Sequence, residues 1–145
     1  MKLNLKTRYG LSTLAKIARE AKNTPITGKV LSISQKISEP YVEQIMLPLV
    51  SGGLVRTIRG SKGGYVLNKD TKSITLLDVI ELYEGRIDFS GADEGEKATT
   101  QVVSCQSRKV WKVLEERVRE RASEFTLEDI LEKFMNSVKE GEYII

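Results

Sequence analysis

A glycine-rich basic segment between two short β-type runs constrains the fold most strongly. Residues 54–58 read Leu-Val-Arg-Thr-Ile and are rich in β-branched side chains, and residues 65–67 read Tyr-Val-Leu. The residues between them, Arg-Gly-Ser-Lys-Gly-Gly, suit the tip of a β-hairpin, because glycine adopts the backbone angles that a tight turn needs. The sequence therefore predicts a small two-stranded hairpin here.

Three predicted helices precede the hairpin. The first covers Thr7–Ala21, and the proline of Asn23-Thr24-Pro25 ends it. A short helix follows around Lys29–Lys36. The third, Ser38–Ser51, begins with Ser38 as its cap and Pro40 in its first turn, where a missing N–H costs nothing. The expected core residues are Leu11, Leu14, Ala15, Ile17, Ala18, Ala21, Ile26, Val30, Ile33, Ile37, Val42, Ile45, Met46 and Leu49.

The back half predicts further helices and one loop. Thr75-Leu76-Leu77-Asp78 resembles a capping box and starts a helix through about Tyr83. Glycines and an acidic run in residues 85–106 predict a flexible loop. A long helix over Ser107–Ala122 and a final helix capped by Thr126 follow. The order helix–helix–helix–hairpin is that of a winged helix-turn-helix, so the predicted fold is mainly α with a small β-hairpin wing.

The charge is divided unevenly along the chain. The formal net charge is only +3. Through Gly64, however, eleven Lys and Arg stand against three acidic residues, a net charge of +8, which leaves −5 for the remainder. This asymmetry favours a front half that binds a polyanion and a back half that is solvated or binds a partner. Simple solvation of the helices by basic side chains is the alternative.

Two residue counts exclude most enzyme chemistry. The chain has no histidine, which removes catalytic triads and histidine-based acid–base catalysis. It has one cysteine, Cys105, so neither an intrachain disulfide nor a cysteine-rich zinc site can form. No apolar run is long enough for a membrane helix, and the first residues do not resemble a signal peptide. We expect a cytoplasmic protein that is not an enzyme and binds no metal.

The third predicted helix is the candidate recognition helix for DNA. A major groove accommodates one α-helix, whose N-terminal residues meet base edges. Tyr41, Glu43 and Gln44 are placed to contact bases, since Gln pairs with adenine and Glu accepts from cytosine. The alternative is that Tyr41 packs inside the protein and the other two are solvated. Ser38 and Pro40, at the start of this helix, are included in the predicted contact set.

Basic residues elsewhere in the front half extend the predicted DNA contacts. Arg59 and Lys62 lie at the hairpin tip, where Gly60 and Gly63 permit close backbone approach, and an arginine so placed can enter a narrow A·T-rich minor groove. At the start of the first helix, basic side chains and backbone amides together suit a phosphate. The further members of the predicted set are Lys2, Lys6, Arg8, Tyr9 and Arg56.

An apolar stripe on the long charged helix predicts a dimer interface. Val110, Trp111, Leu114 and Val118 share one face of this helix, and Val113 widens it. Operator half-sites usually need a two-fold dimer, which favours packing against a second copy. An intramolecular core is the alternative.

These segments together resemble the Rrf-two family of winged-helix repressors, the group that includes IscR, NsrR and CymR. The resemblance covers residues 1 to 132 and implies a homodimer whose long helices pack across the two-fold axis on a palindromic operator. It divides the chain into a winged-helix domain (1–84), a sensor-type loop (85–106) and a dimerisation helix with a C-terminal helix (107–145). The matching segments are Lys6–Gly10, Ser38–Ile45, Gly53–Gly60, Gly63–Leu67, Ile74–Ile80 and Thr126–Leu131.

The resemblance also raises the question of an iron–sulfur cluster. Many relatives hold one through three cysteines before the long helix, of which Cys105 matches the third; Asp93 and Thr99 stand near the other two positions. One thiolate cannot hold a cluster with ordinary ligation, and the carboxylates of Asp93, Glu94 or Glu96 are poor substitutes. We therefore expect no cofactor and a place near the cluster-free, CymR-like branch, although the loop length is closer to that of cluster binders.

Cys105 itself has two interpretations. As a redox sensor it would need a lowered pKa, which the positive charges of Arg108 and Lys109 could supply. As a structural residue it is a small, half-buried side chain at a junction.

The resulting hypothesis is a homodimeric DNA-binding repressor of cysteine, sulfur, iron–sulfur or redox-responsive genes, with a small-molecule or protein effector. A winged-helix module that binds another protein and does not read DNA is the alternative.

Overall fold

The computed structural model describes residues 1–91 and 105–135, and the order of its elements is that of a winged helix-turn-helix. Within these ranges three α-helices precede an antiparallel hairpin and three α-helices follow it, in the predicted order. The elements are α1 (Leu5–Glu20), α2 (Gly28–Gln35), α3 (Glu39–Ser51), β1 (Val55–Ile58), β2 (Gly64–Leu67), a 3-10 turn (Thr71–Ser73), α4 (Leu76–Glu84), α5 (Cys105–Glu124), α6 (Leu127–Ile130) and a π-helical turn (Leu131–Met135).

Side-chain caps fix where most of these helices begin. The Ser38 hydroxyl accepts a hydrogen bond from the Tyr41 N–H at 3.2 Å, which confirms the predicted cap. Thr75 and Thr126 each form a complete capping box, with Asp78 and Asp129 as the returning carboxylates. Asn4 caps α1, which explains why this helix starts earlier than the predicted Thr7.

The hairpin is joined to the helices by one further backbone pairing. Val55 pairs with Leu67 and Ile58 with Gly64, and the isolated partner Ile26 adds two hydrogen bonds to Tyr65. Gly64 has φ +153°, and a Cβ there would lie 2.5 Å from the Ile26 carbonyl oxygen. Glycine is therefore required where the hairpin meets the segment before α2.

The described residues share one hydrophobic core to which α1, α3, β1, α4 and α6 all contribute. The prediction for α2 was wrong in two places, since Val30 and Ile33 are 44% and 69% exposed. Leu31 is fully buried instead. A helix of eight residues can turn only one narrow face inward, and because Leu31 occupies that face, its neighbours point outward.

The C-terminal elements return to the winged-helix core. The Leu76 N–H donates to the Phe125 carbonyl at 2.8 Å and the Leu127 N–H to the Ile74 carbonyl at 2.7 Å, so the starts of α4 and α6 are joined. Leu127 is 1% exposed within the common core. No helix within the described ranges has both the length and the apolar content needed to cross a bilayer.

Two consecutive residues near the end of α4, Leu82 and Tyr83, contact α1 and α3. Leu82 lies against Gly52, at the end of α3. The Tyr83 hydroxyl donates to the Ile45 carbonyl in the middle of α3 at 2.6 Å, and burial raises the pKa of this hydroxyl, which keeps it a donor. Its ring lies against Gly10 of α1, where a Cβ would be 2.3 Å from a ring carbon.

Substitution Gly10→Ala tests this contact. Overpacking costs about 1–3 kcal/mol, and alanine recovers about 1 kcal/mol through helix propensity. We therefore expect the free energy of unfolding, measured by urea denaturation, to fall by up to about 2 kcal/mol, which is the overpacking cost less the propensity gain. Gly28→Ala is the matched control, because its Cβ would find its nearest neighbour, in Tyr65, at 3.9 Å. Equal stability of the two variants would contradict the close packing of Tyr83 on α1.

Candidate nucleic-acid interface

One face of α3 is exposed along its whole length. The inward face carries Val42, Ile45, Met46 and Leu49, each at most 1% exposed. This burial fixes the rotation of the helix and turns the opposite face to solvent. The exposed face, here called the α3 stripe, consists of Glu39, Pro40, Glu43, Gln44, Leu47 and Ser51.

Tyr41 lies at the edge of the α3 stripe and is half-buried. Its ring meets that of Tyr9 edge to face, with ring centroids 5.9 Å apart. The two interpretations of Tyr41 therefore combine, because one side of its ring packs against α1 and the rest is accessible. Tyr9 supports the start of α3 through this contact.

Glu43 connects the α3 stripe to the hairpin. Burial, and then the nearby Glu43 carboxylate, raise the pKa of Tyr65 on β2. Tyr65, which pairs with Thr57 toward the tip of the hairpin, therefore lies close enough to Glu43 for the two side chains to interact electrostatically. A ligand lying along the α3 stripe would meet residues of both elements.

At the start of α1, the N–H groups of Asn4, Lys6, Thr7 and Arg8 already have hydrogen-bond partners. The Asn4 side chain accepts from the Lys6 N–H, and the Asn4 carbonyl accepts from the next two N–H groups. Glu84 accepts from the Asn4 N–H and from the Thr7 hydroxyl, both at 2.5 Å. Most of the amides expected to hold a phosphate here are therefore already bonded, and the side chains of Lys2, Lys6 and Arg8 remain as the predicted phosphate contacts.

The hairpin tip exposes two cations on a tight turn. The Gly63 N–H donates to the Gly60 carbonyl at 3.0 Å, and Gly60 has φ +112°. A Cβ at Gly63 would lie 2.2 Å from the Ile58 carbonyl oxygen. The glycines therefore permit the turn that holds Arg59 and Lys62 away from the protein body.

Arg56 occupies a different place from the tip. It lines a groove of about 520 Å³ between the hairpin and the end of α1, together with Lys22 and Lys69. The structure thus places Arg56 near Lys22 and Lys69, which were not among the predicted DNA contacts.

The cations of this surface are not neutralised by ion pairs among the described residues. The ion pairs found there are Lys16–Glu20, Arg119–Glu81 and Arg121–Glu124. Lys2, Lys6, Arg8, Arg59 and Lys62 take part in none of them. Unpaired positive charge flanking an exposed helix is the electrostatic footprint of a nucleic-acid surface.

Comparison with known proteins identifies the family of this chain. The Rrf2 family model, described as iron-dependent transcriptional regulator, matches residues 3–133. The chain belongs to the Rrf2 family. This confirms the resemblance to the Rrf-two group, and it confirms that the protein is a transcriptional regulator and not an enzyme.

Individual regulators resemble this chain in sequence and in structure. The HTH-type transcriptional regulator CymR of Bacillus subtilis (strain 168) is 35% identical over 130 residues, which cover 90% of this chain and 89% of that protein. The structure of CymR (YrzC), the global cysteine regulator of B. subtilis, has a TM-score of 0.71 at 33% identity. The match covers 90% of this chain and 95% of the CymR chain. The structure of T. potens IscR has a TM-score of 0.68 at 27% identity, and the match covers 100% of this chain and 93% of the IscR chain.

The donor set of this Rrf2 protein does not fit an iron–sulfur cluster. Such clusters are held by several thiolates, and the sequence contains one cysteine. The described residues contain no group of three or more potential metal ligands. Helix α5 begins at Cys105. The Cys105 side chain and the loop positions Asp93, Glu94, Glu96 and Thr99 lie outside the residues whose placement is described.

Some residues of the surface were missed at the level of the sequence. Leu47 follows Gln44 by three residues, so reading the exposed face of the predicted helix could have found it. Tyr83 and Glu84 are distant from α1 and α3 in the chain, and no local pattern points to them.

The wing contact of this Rrf2 protein is tested with Arg59→Ala. We expect affinity for a duplex with A·T pairs under the hairpin tip to fall about tenfold, or about 1.4 kcal/mol, because a narrow A·T minor groove attracts arginine. A G·C flank should show a smaller loss, by fluorescence anisotropy. Lys72→Ala, which removes an equally exposed charge outside the predicted set, is the control. Equal losses on both flanks would contradict a minor-groove contact.

Proposed function

We propose that the protein is a homodimeric repressor that binds a palindromic operator through α3 and the hairpin. The observation that supports this most directly is that cations without ion pairs lie on the two elements next to the α3 stripe: at the start of α1, whose Tyr9 contacts Tyr41, and at the tip of the hairpin, whose Tyr65 lies near Glu43. Phosphate contacts from the two sides would position α3 in a major groove.

Base reading would fall to the first turns of α3. Gln44 can pair with adenine through two hydrogen bonds, and Glu43 can accept from the cytosine amino group while it repels phosphate. Both side chains are exposed. Ser38 would contribute through its cap, which fixes the first turn, and Pro40 would shape the surface beside it. These roles make α3 the specificity-determining element and the hairpin an auxiliary one.

Dimerisation would use the first half of α5. This helix has 20 residues, so it is about 30 Å long. Its second half packs on α4, where Glu115 and Ala122 are buried and Arg119 pairs with Glu81. Its first half leaves Val110, Trp111 and Leu114 exposed at 63%, 47% and 46%. A cluster of large apolar side chains on a projecting helix favours a partner helix, with half-buried Val118 at its edge.

The regulon proposal rests on the relatives. Similarity to the global cysteine regulator of B. subtilis favours genes of cysteine and sulfur metabolism. The single cysteine favours a sensing mode without a cluster, such as a small-molecule or protein effector, or oxidation of Cys105 itself.

Operator binding is tested by selecting duplexes from a random pool and measuring affinity against salt. We expect a palindrome with half-sites about one helical turn apart. With 6–10 phosphate contacts, affinity should fall by about three to five decades between 50 and 200 mM salt. Failure to enrich any sequence, with salt-independent binding to random duplex, would favour the protein-docking alternative, for which the apolar surface of α5 is the supporting observation.

The dimer is tested with Trp111→Glu. A central tryptophan at an interface is worth about 2 kcal/mol or more, so the dissociation constant of the dimer should rise at least about thirtyfold. Sedimentation velocity measures this change. Lys109→Glu adds the same side chain about 160° around the helix from Trp111, at an exposed position, and should leave the dimer intact. A Trp111→Glu protein that dimerises normally would show that another surface is used.

A further inference from the structure

Leu47 is the most exposed large apolar side chain of the helix-turn-helix after Ile33. It is 68% exposed and belongs to the α3 stripe, one helical turn beyond Glu43 and Gln44. Its side chain has no place in the core. The Leu47 carbonyl accepts from the Ser51 hydroxyl at 2.9 Å, but this bond involves only the backbone of Leu47. Stability of the monomer therefore does not explain a leucine at this position.

The position of Leu47 fits the reach of a recognition helix. Eight residues separate it from Glu39, the first residue of α3, which at 1.5 Å each gives about 12 Å along the axis. The major groove is about 12 Å wide. A helix whose first turns meet base edges therefore brings its third turn to the same groove.

The chemistry of the groove leaves one partner for an aliphatic side chain. Major-groove edges of guanine, cytosine and adenine present hydrogen-bonding groups, whereas thymine also presents a C5-methyl group. The leucine side chain has no hydrogen-bond donor or acceptor, so it makes no favourable contact with the polar base edges. It gains binding free energy by burying the thymine methyl group against its own apolar surface.

We propose that Leu47 is a specificity-determining residue that contacts a thymine methyl group in each operator half-site. Gln44 and Glu43 would read hydrogen-bonding edges, and Leu47 would add a thymine to the sequence that the first turns of α3 read. This inference rests on the proposed operator binding.

The test removes the methyl group from the DNA and the side chain from the protein. In one half-site of the selected operator, each thymine is replaced in turn by deoxyuridine, which lacks only the C5-methyl group. Affinities are measured for the wild-type protein, Leu47→Ala, Leu47→Met and Ile33→Ala. Ile33 is the matched control, because it is equally exposed and apolar but lies on α2.

One replacement should weaken wild-type binding about fourfold, which corresponds to one buried methyl group. Ile33→Ala and Leu47→Met should retain this loss, since both keep an apolar side chain at position 47. Leu47→Ala should bind the thymine and deoxyuridine operators equally. Far-UV circular dichroism checks that each variant is folded.

Three outcomes would overturn the assignment. In the first, the selected half-site contains no thymine. In the second, no single replacement weakens wild-type binding. In the third, every loss found with the wild-type protein persists in Leu47→Ala. Each of these leaves operator binding itself intact, whereas absence of any selected operator would contradict the proposed function and not Leu47 alone.

Discussion

One hydrogen bond, donated from α4 to the back of α3, joins the helices on which the exposed surface depends and adds to the apolar packing that orients α3. Tyr83 passes over Gly10 of α1 and donates to the Ile45 carbonyl of α3 at 2.6 Å. This bond and the packing of the ring on Gly10 together hold α1, α3 and α4 in one arrangement, because separating α4 from α3 would leave the partly buried hydroxyl unpaired and separating α4 from α1 would remove the ring contact. The exposed stripe of α3 is presented from this fixed base.

Electrostatics divides the molecule in the same way as the packing. Acidic side chains of the back half pair with cations there, as Glu81 does with Arg119. Cations at the start of α1 and at the hairpin tip have no such partner among the described residues. The net charge of the whole chain is only +3, but the surface formed by these elements carries positive charge that can interact with phosphate.

Local chemistry made much of this fold predictable from the sequence. Ser38, Thr75 and Thr126 cap their helices as predicted, because a cap needs only a side chain and the amides of the next turn. The hairpin was equally clear from its glycines and β-branched runs. The prediction for α2 failed at Val30 and Ile33, since periodicity cannot say which of several apolar residues in a short helix turns inward.

The sequence by itself determined the order of the elements, the caps, the basic front half and the absence of a thiolate set for a cluster. Only the tertiary structure decided which residues share a surface: that Glu84 accepts from the Asn4 N–H and the Thr7 hydroxyl at the start of α1, that Tyr41 packs against Tyr9, and that Leu47 belongs to the α3 stripe. The physical reason is range. Capping and turn formation act within a few residues, whereas these contacts join helices that are distant in the chain and meet only when the common core is formed.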